Sequence, residues 1–216
     1  MDRVTVWPGA IPLETDILST NRNLLIALGF LIQDLLGAST VVAGFACTPG
    51  TGLTVSIAPG RIYSLQNLDS TAYSSLAADT VHQIMKQGIL LDAATLDVPA
   101  PATSGDSIDY LIEAAYVDVD VGDTILDYYD ADNPTQPYTG PNNTGEAQPT
   151  GRAGQVNLIA KAGTAAATGT QTAPAADSGF VGLFVVTIAH GASSVVTGDI
   201  ATAAGAPVIA SPFGAQ

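Results

Sequence analysis

From Ser39 onward the sequence consists of short β-branched segments separated by Gly, Pro, Asp and Ser, and this pattern limits the fold more than any other feature. Segments of this kind are typical of β-strands joined by turns. Within residues 53–58, Leu53, Val55 and Ile57 alternate with smaller side chains, which predicts one buried and one solvated face. The region therefore predicts a mainly β fold, a β-sandwich or barrel-like body with long loops. The predicted strands are residues 40–47, 53–58, 61–65, 88–91, 108–121, 154–162 and 179–189.

One helix is predicted before this region, over residues 13–36. Its first apolar row has spacings of seven, four, three and four residues, which resembles a heptad repeat. A second row widens the apolar face and indicates burial on two sides. Asp16, Ser19 and Thr20 are candidate N-caps, and Gly37 predicts the C-terminal end. The first row is Ile17, Leu24, Leu28, Leu31 and Leu35, and the second is Leu18, Leu25, Ile32 and Leu36.

The chain therefore divides into an N-terminal arm with an attachment helix, residues 1–38, and a β-rich body, residues 39–216. Pro8 and Pro12 bracket the entry to the helix, which predicts a short extended arm carrying Trp7. We expect the first helical row to pack with other copies of the chain. The predicted interface residues are Ile17, Leu24, Leu28, Leu31, Leu35, Trp7 and Tyr138.

Sparse charge points to an assembly protein. Only 12% of the 216 residues are charged, roughly half the usual share, while 47% are apolar. Neutral or apolar surface is tolerated when other subunits cover it. We therefore expect a homo-oligomer, with a trimer favoured and a dimer as the alternative.

The charge balance excludes several partners. A formal net charge of -14 repels phosphate backbones and anionic lipid, so neither nucleic acid nor a membrane is an expected partner. The longest apolar stretch, residues 24–32, is well short of the ~20 residues that span a bilayer. The opening MDRVTVWPG lacks the pattern of an export signal, so we expect synthesis in a cytoplasm.

Two long segments are poor in aliphatic residues. Residues 130–151 are rich in Pro, Asn, Gly and Thr and are predicted to lack a core of their own. Residues 162–179 form a connector of small residues. We expect the first segment to dock on a neighbouring subunit, with Tyr138 as its apolar anchor.

The residues that catalysis requires are scarce. The chain has two histidines, His82 in a polar irregular stretch and His190 at a strand end, and two lysines, Lys86 and Lys161. No pattern of nucleophile and base, zinc ligands or phosphate-binding loop is present. Cys47 lies in an apolar run and is predicted to be a buried, reduced thiol. We therefore predict a protein that is not an enzyme and has no cofactor.

One acidic segment has some of the features of a calcium-binding loop. Asp118, Asp120 and Asp123 have suitable charge, but Gly122 precedes the third carboxylate and Tyr129 occupies the position where a calcium loop has its closing Glu. We predict no metal there, and interpret the segment up to Asp132 as a solvated strand edge or turn.

The chain resembles a family of structural proteins from the tail-fibre and baseplate regions of tailed bacteriophages. The similarity lies in RVTVWPGAIPLETDILSTNRN, STVVAGFACTP, LTVSIAPGRIYSL, SIDYLIEAAYVDVD, YYDADNPTQPYTGPNNTG and DSGFVGLFVVTIAHG, and so extends along most of the sequence. The resemblance implies a role in the virion tail as an attachment or adaptor component, made in the host bacterial cytoplasm and bound to other tail or baseplate proteins. Two alternatives remain open: a capsid decoration or head-fibre protein, and a module that binds carbohydrate on the host surface.

Overall fold

The structure, a computed structural model, describes residues 2–209, in which one helix precedes thirteen strands. Met1 and residues 210–216, the end of the predicted body, lie outside the described residues. Two short 3-10 helices occupy Pro141–Asn143 and Thr197–Asp199. The longer elements are α1 (Glu14–Leu36), β1 (Val41–Gly44), β2 (Cys47–Pro49), β3 (Thr54–Ile57), β4 (Gly60–Asp69), β5 (Asp79–Leu90), β6 (Ala94–Asp97), β7 (Asp106–Val121), β8 (Asp127–Tyr128), β9 (Tyr138–Thr139), β10 (Gly151–Ala162), β11 (Ala166–Ala167), β12 (Val181–Ala189) and β13 (Ile200–Thr202).

All of the sheet ladders are antiparallel. Three strands in the order β1-β4-β5 form one sheet, and β10-β7-β12-β13 form the largest, with β11 pairing the start of β7. A third sheet has the order β2-β3-β6, and β8 pairs with β9. None of these sheets closes into a barrel within residues 2–209. The prediction of a mainly β chain with one N-terminal helix is confirmed.

The main core lies among the three larger sheets. It contains Val42 and Ile62 from the first sheet, Ile112 and Val186 from the largest and Val55 from the third, and all five are fully buried. Val55 and Ile57 are both buried, as the alternation in residues 53–58 predicted. A continuous apolar core thus joins the sheets into one body.

Two glycines allow β5 and β10 to approach closely. A Cβ atom on Gly88 would lie 2.5 Å from the carbonyl oxygen of Gln155, and one on Gly154 would lie 2.5 Å from that of Gln87. Real Cβ atoms do not come so close to backbone oxygen, so only Gly fits at either position. The contact brings the charged side chains of both strands near α1.

The helix packs against β5 at a third glycine. Gly29 is buried, and a Cβ atom there would lie 2.8 Å from Cβ of Ile84 and 3.1 Å from the carbonyl oxygen of Met85. Gly37 ends the helix at φ 82°, as predicted. The predicted N-caps are wrong, because α1 begins before them and Asp16 Oδ2 accepts a hydrogen bond from the Leu13 N–H at 2.9 Å.

The predicted strands match most of the longer observed strands, but several of the predicted ends are wrong. Residues 40–47 are two strands, because Phe45 has a φ of 61° that interrupts the extended chain. Residues 88–91 cover only the end of β5, which begins at the polar and largely exposed residues 79–83. The short strands β6, β8, β9, β11 and β13 were not predicted. His82, placed in an irregular stretch by the sequence, lies in β5.

Candidate assembly surface

The predicted interface row of α1 lies on the surface of the chain. Its five side chains are between 47% and 73% exposed. At ~100° per residue they fall within a sector of about 60° on the helix. A continuous apolar stripe is therefore open to solvent along the length of α1. The exposed row consists of Ile17, Leu24, Leu28, Leu31 and Leu35.

The second predicted row occupies the adjacent face and is less exposed. Leu18, Ile32 and Leu36 are half-buried, whereas Leu25 is 37% exposed and lines a cavity beneath the helix. Gly29 lies on the same side and contacts β5. The helix thus has one apolar face on the body and another in solvent, and burial of the second face stays a prediction.

The N-terminal arm extends the apolar surface. Trp7 is 73% exposed and Ile11 is 86% exposed, and Leu13 is the exposed residue immediately before α1. A hydrogen bond from the Ala10 N–H to the Trp7 carbonyl oxygen, 3.0 Å long, turns the chain between them. Arm and helix together thus present a group of large exposed apolar side chains, the kind of patch that another protein commonly covers.

An ionic cluster fixes α1 to the body. Arg22 donates to Asp69 Oδ2 from Nε at 2.9 Å and from Nη2 at 2.6 Å, and Nη2 also reaches the Ala77 carbonyl oxygen at 2.7 Å. Asp69 is only 4% exposed at the end of β4, and its other oxygen lies 3.5 Å from Nη1 of Arg152 on β10. One buried carboxylate therefore joins the helix to two different sheets.

Arg152 is the centre of a wider network. It donates to Asp120 from Nε at 2.7 Å and from Nη2 at 3.1 Å, and its Nη2 also reaches the carbonyl oxygen of Ala72 at 2.8 Å. The guanidinium lies 5.5 Å from the ring centre of Tyr73, within cation-π distance. The hydrogen bond from Arg152 lowers the pKa of Asp120, and the same bond raises the pKa of Arg152.

A cavity of about 160 Å³ lies beside this network, between α1 and the contact of β5 with β10. Within it Lys86, 3% exposed, donates to Asp118 Oδ2 at 2.5 Å, and the hydroxyl of Tyr116 donates to Oδ1 at 2.5 Å. Burial, followed by this hydrogen bond, raises the pKa of Tyr116. The cavity is lined by three cations, Arg22, Lys86 and Arg152, and by two carboxylates, Asp69 and Asp118, while Asp120 pairs with Arg152 outside the lining.

Asp118 and Asp120, the first two members of the acidic segment, lie in an exposed part of β7, and each is paired with a cation. Asp120 pairs with its cross-strand neighbour Arg152 on β10, whereas Asp118 pairs with Lys86, which reaches it from β5 of another sheet. Asp123 is exposed. Within residues 2–209, no cluster of three or more His, Cys, Asp or Glu side chains is arranged to hold a metal ion.

Residues 122–150 form a hairpin with short ladders of its own, and none of its residues belongs to the buried apolar core. Thr124 and Gln148 form a β-bridge at its base, and β8 pairs with β9 farther out. Inside it, the Gly140 N–H donates to the carbonyl oxygen of Leu126 at 2.8 Å. Intramolecular hydrogen bonds therefore satisfy several backbone groups of the hairpin. Tyr138 is 38% exposed and lies opposite Tyr128.

The connector of small residues lies beside the largest sheet. The Asp177 N–H donates to Glu113 Oε2 at 3.0 Å, and Lys161 donates to the Asp177 carboxylate and to the Ala175 carbonyl oxygen. Glu113 is fully buried, and its Oε1 has no hydrogen-bond partner within residues 2–209. Burial raises the pKa of Glu113.

The remaining residues noted in the sequence lie apart from one another. Cys47 is half-buried in β2, where burial raises the pKa of its thiol to about 11 and so favours the protonated form. His190 follows β12, as predicted, and its Nδ1 lies 2.9 Å from the carbonyl oxygen of Pro101. His82 pairs with Asp79 on the surface of β5.

Sequence reasoning missed the ionic cluster beneath α1. One signal was available, because Arg22, Lys86 and Arg152 are three of only six basic residues in the chain. With so few cations among many carboxylates, buried pairing was to be expected for several of them. Their partners could not be identified, since Arg22 and Asp69 are 47 residues apart.

Among residues 2–209, no helix combines the length and the apolar character needed to cross a membrane. Comparison with known proteins finds no matching family model, no matching curated protein and no matching solved structure.

Proposed function

We propose that this chain is a structural protein of a virion, a tail-fibre or baseplate component that acts as an attachment or adaptor piece in a phage tail. The observation that carries the proposal is the exposed apolar stripe of α1, which continues into Trp7 and Ile11 of the arm. A patch of this size on a soluble chain is typical of a surface that another protein covers. The resemblance to tail-fibre and baseplate proteins supports the location in the tail.

Other copies of the same chain are the proposed occupants of the stripe. Its five members carry no charge, so copies with a formal net charge of -14 can meet there without bringing carboxylates together. The helix is already packed on β5, so assembly does not have to supply the cost of helix nucleation. A trimer is the favoured state, and other tail or baseplate proteins bind elsewhere on the assembled particle.

Substitution of Leu28→Asp together with Leu31→Asp tests self-association. Light scattering coupled to gel filtration should give the mass of an oligomer for the unmodified chain and the mass of a monomer for the variant, because buried unpaired carboxylates oppose assembly. Ser193→Asp with Ser194→Asp adds the same charge at exposed positions and serves as the control. An oligomer that survives the helix substitutions would contradict the proposed interface.

Electron microscopy of particles labelled with an antibody against the chain tests the location. Label at the tail tip or fibres is expected. Label on the capsid would favour a head-fibre or decoration protein instead, and particles without label would contradict a structural role in the virion.

A further inference from the structure

The exposed row of α1 contains one gap, and a polar residue fills it. Ile17 and Leu24 are seven residues apart, whereas the later members of the row follow at spacings of four, three and four. Asn21 lies four residues after Ile17 and three before Leu24, so with it the spacing alternates four and three from Ile17 to Leu35. Asn21 is exposed, like the other members of the row. The outward surface of α1 is therefore a complete heptad seam with a single Asn.

The order of the spacings assigns each position of the heptad. A step of three leads from an a position to a d position, and a step of four leads from d to the next a. Asn21, Leu28 and Leu35 are then a positions, while Ile17, Leu24 and Leu31 are d positions. The a positions lack the β-branched residues that favour two strands. Leucine at a, with an isoleucine among the d residues, agrees better with three strands than with two.

We propose that Asn21 sets a parallel, in-register arrangement of α1 helices from three copies of this chain. The inference rests on the proposed self-association through the stripe. A single Asn at an a position lowers stability, but its amide finds partners only when the Asn residues of all helices meet in one layer. An antiparallel or shifted seam would place each Asn against leucine and leave it unpaired in an apolar environment.

The geometry of the chain makes this specificity useful. A seam from Ile17 to Leu35 is short, about 27 Å at 1.5 Å per residue, and leucine alone discriminates poorly between helix directions. In a parallel arrangement all three β-rich bodies lie at the same level along the axis. Asn21 also lines the cavity beneath α1, together with Arg22 and Leu25, so a role confined to that cavity is the competing explanation.

Cysteine crosslinking distinguishes the arrangements in the full chain. In a Cys47→Ala background, Leu35→Cys should form intermolecular disulfides rapidly if the helices are parallel and in register, because the substituted residues of adjacent copies meet. In an antiparallel pair centred on α1 the same positions would be about 30 Å apart along the helix axis. Light scattering should give the trimer mass for this background before oxidation.

The role of Asn21 is tested by adding Asn21→Leu to the same chain. We expect the concentration for half-dissociation to fall about tenfold, since a buried polar group is lost. We also expect Leu35→Cys crosslinking to fall by at least half and more than one mass to be present. Asn23→Leu makes the same change off the seam and should leave crosslinking and mass unaltered.

Self-association, helix direction and the role of Asn21 are contradicted by three different results. A monomer in the Asn21-containing background would overturn the proposed self-association itself. A trimer whose Leu35→Cys crosslinking is absent would overturn the parallel arrangement. A trimer that crosslinks equally well with Asn21→Leu would show that Asn21 serves only the cavity, and would overturn the assignment of register to this residue.

Discussion

Glu113 has a fully buried carboxyl group in the middle of β7, where its neighbours on adjacent strands are Ile159 and Gly182. One oxygen accepts the Asp177 N–H, and the other has no partner among the described residues. Desolvation of the charged form is the main cause of its raised pKa. A carboxyl group in this position stabilises the fold more when it is protonated than when it is ionised.

Substitution of Glu113→Gln should therefore raise stability near neutral pH. A raised folded-state pKa means that the contribution of Glu113 is fully present below its unfolded pKa of about 4.3 and is lost as pH rises through the folded value. Gln keeps an acceptor for the Asp177 N–H but cannot ionise. We expect a melting temperature a few degrees higher at pH 8 and little difference at pH 4.5.

Melting curves of both chains between pH 4.5 and pH 8 measure this difference. Asp177 does not confuse the comparison, because its hydrogen bond with Lys161 lowers its pKa and keeps it ionised throughout that range. A gap between the two chains that is constant with pH would contradict the interpretation of Glu113.

At the scale of elements, α1 is joined to the body through a small apolar contact and an ionic cluster. Gly29 lets the helix backbone approach Ile84, while Arg22 forms its ion pair with Asp69 about two turns earlier. Neither contact is large, so each makes a separable contribution to the orientation of the exposed stripe. For Gly29, the packing contact predicts the opposite effect of an Ala substitution from the one that helix propensity alone predicts.

Gly29→Ala should destabilise the protein although Ala is the better helix former. The new methyl group would lie 2.8 Å from Cβ of Ile84, so helix or strand must shift, at a cost of about 1–3 kcal/mol. Urea unfolding followed by circular dichroism gives the change in free energy. Ala27→Gly on the flank of α1 measures propensity by itself and should cost about 1 kcal/mol. A stabilised Gly29→Ala chain would show that the contact is loose.

Asp69→Asn should weaken the attachment of α1 more strongly. The substitution leaves Arg22 and Arg152 without the carboxylate that they share, and loss of one member of a buried ion pair costs about 3 kcal/mol. Asp92→Asn removes an exposed carboxylate and should change the unfolding free energy little. Equal effects of the two substitutions would mean that the ionic cluster does not hold the helix.

At the scale of the whole molecule, the body and the hairpin of residues 122–150 are separate in character. The body has the buried core, whereas the hairpin has exposed aromatic residues such as Tyr129 and bonds that are mostly its own. The hairpin contains five carboxylates and no basic residue. Its contribution is therefore expected in contacts with other proteins rather than in the stability of the fold.

Deletion of residues 135–145 tests this division. The segment contains Tyr138 and one strand of the small β8–β9 ladder but no member of the main core. We expect the melting temperature of the isolated protein to change little and its incorporation into particles to fall severalfold. Normal incorporation would contradict a docking role for the hairpin, and loss of the fold would place the segment in the structural core.

Sequence alone determined the features that depend on neighbours along the chain. Helical periodicity located α1 and separated its two apolar rows, and β-branched segments located most strands, because both patterns arise within a few residues. Sequence patterns did not locate the start of β5, because its largely polar first residues give no alternating signal. They also did not divide residues 40–47 into two strands, because the left-handed conformation of Phe45 is unusual for an aromatic residue.

Only the tertiary structure decided which of the two apolar rows faces solvent and where the few cations lie. Gly29 directs one face of α1 onto β5, and so leaves the row of Leu24 and Leu28 exposed. Arg22 meets Asp69 across 47 residues, and Lys86 meets Asp118 across 32. Such pairings depend on how the sheets cross. Many carboxylates along the chain could serve each cation equally well by local criteria, so the packing of the backbone selects the partner.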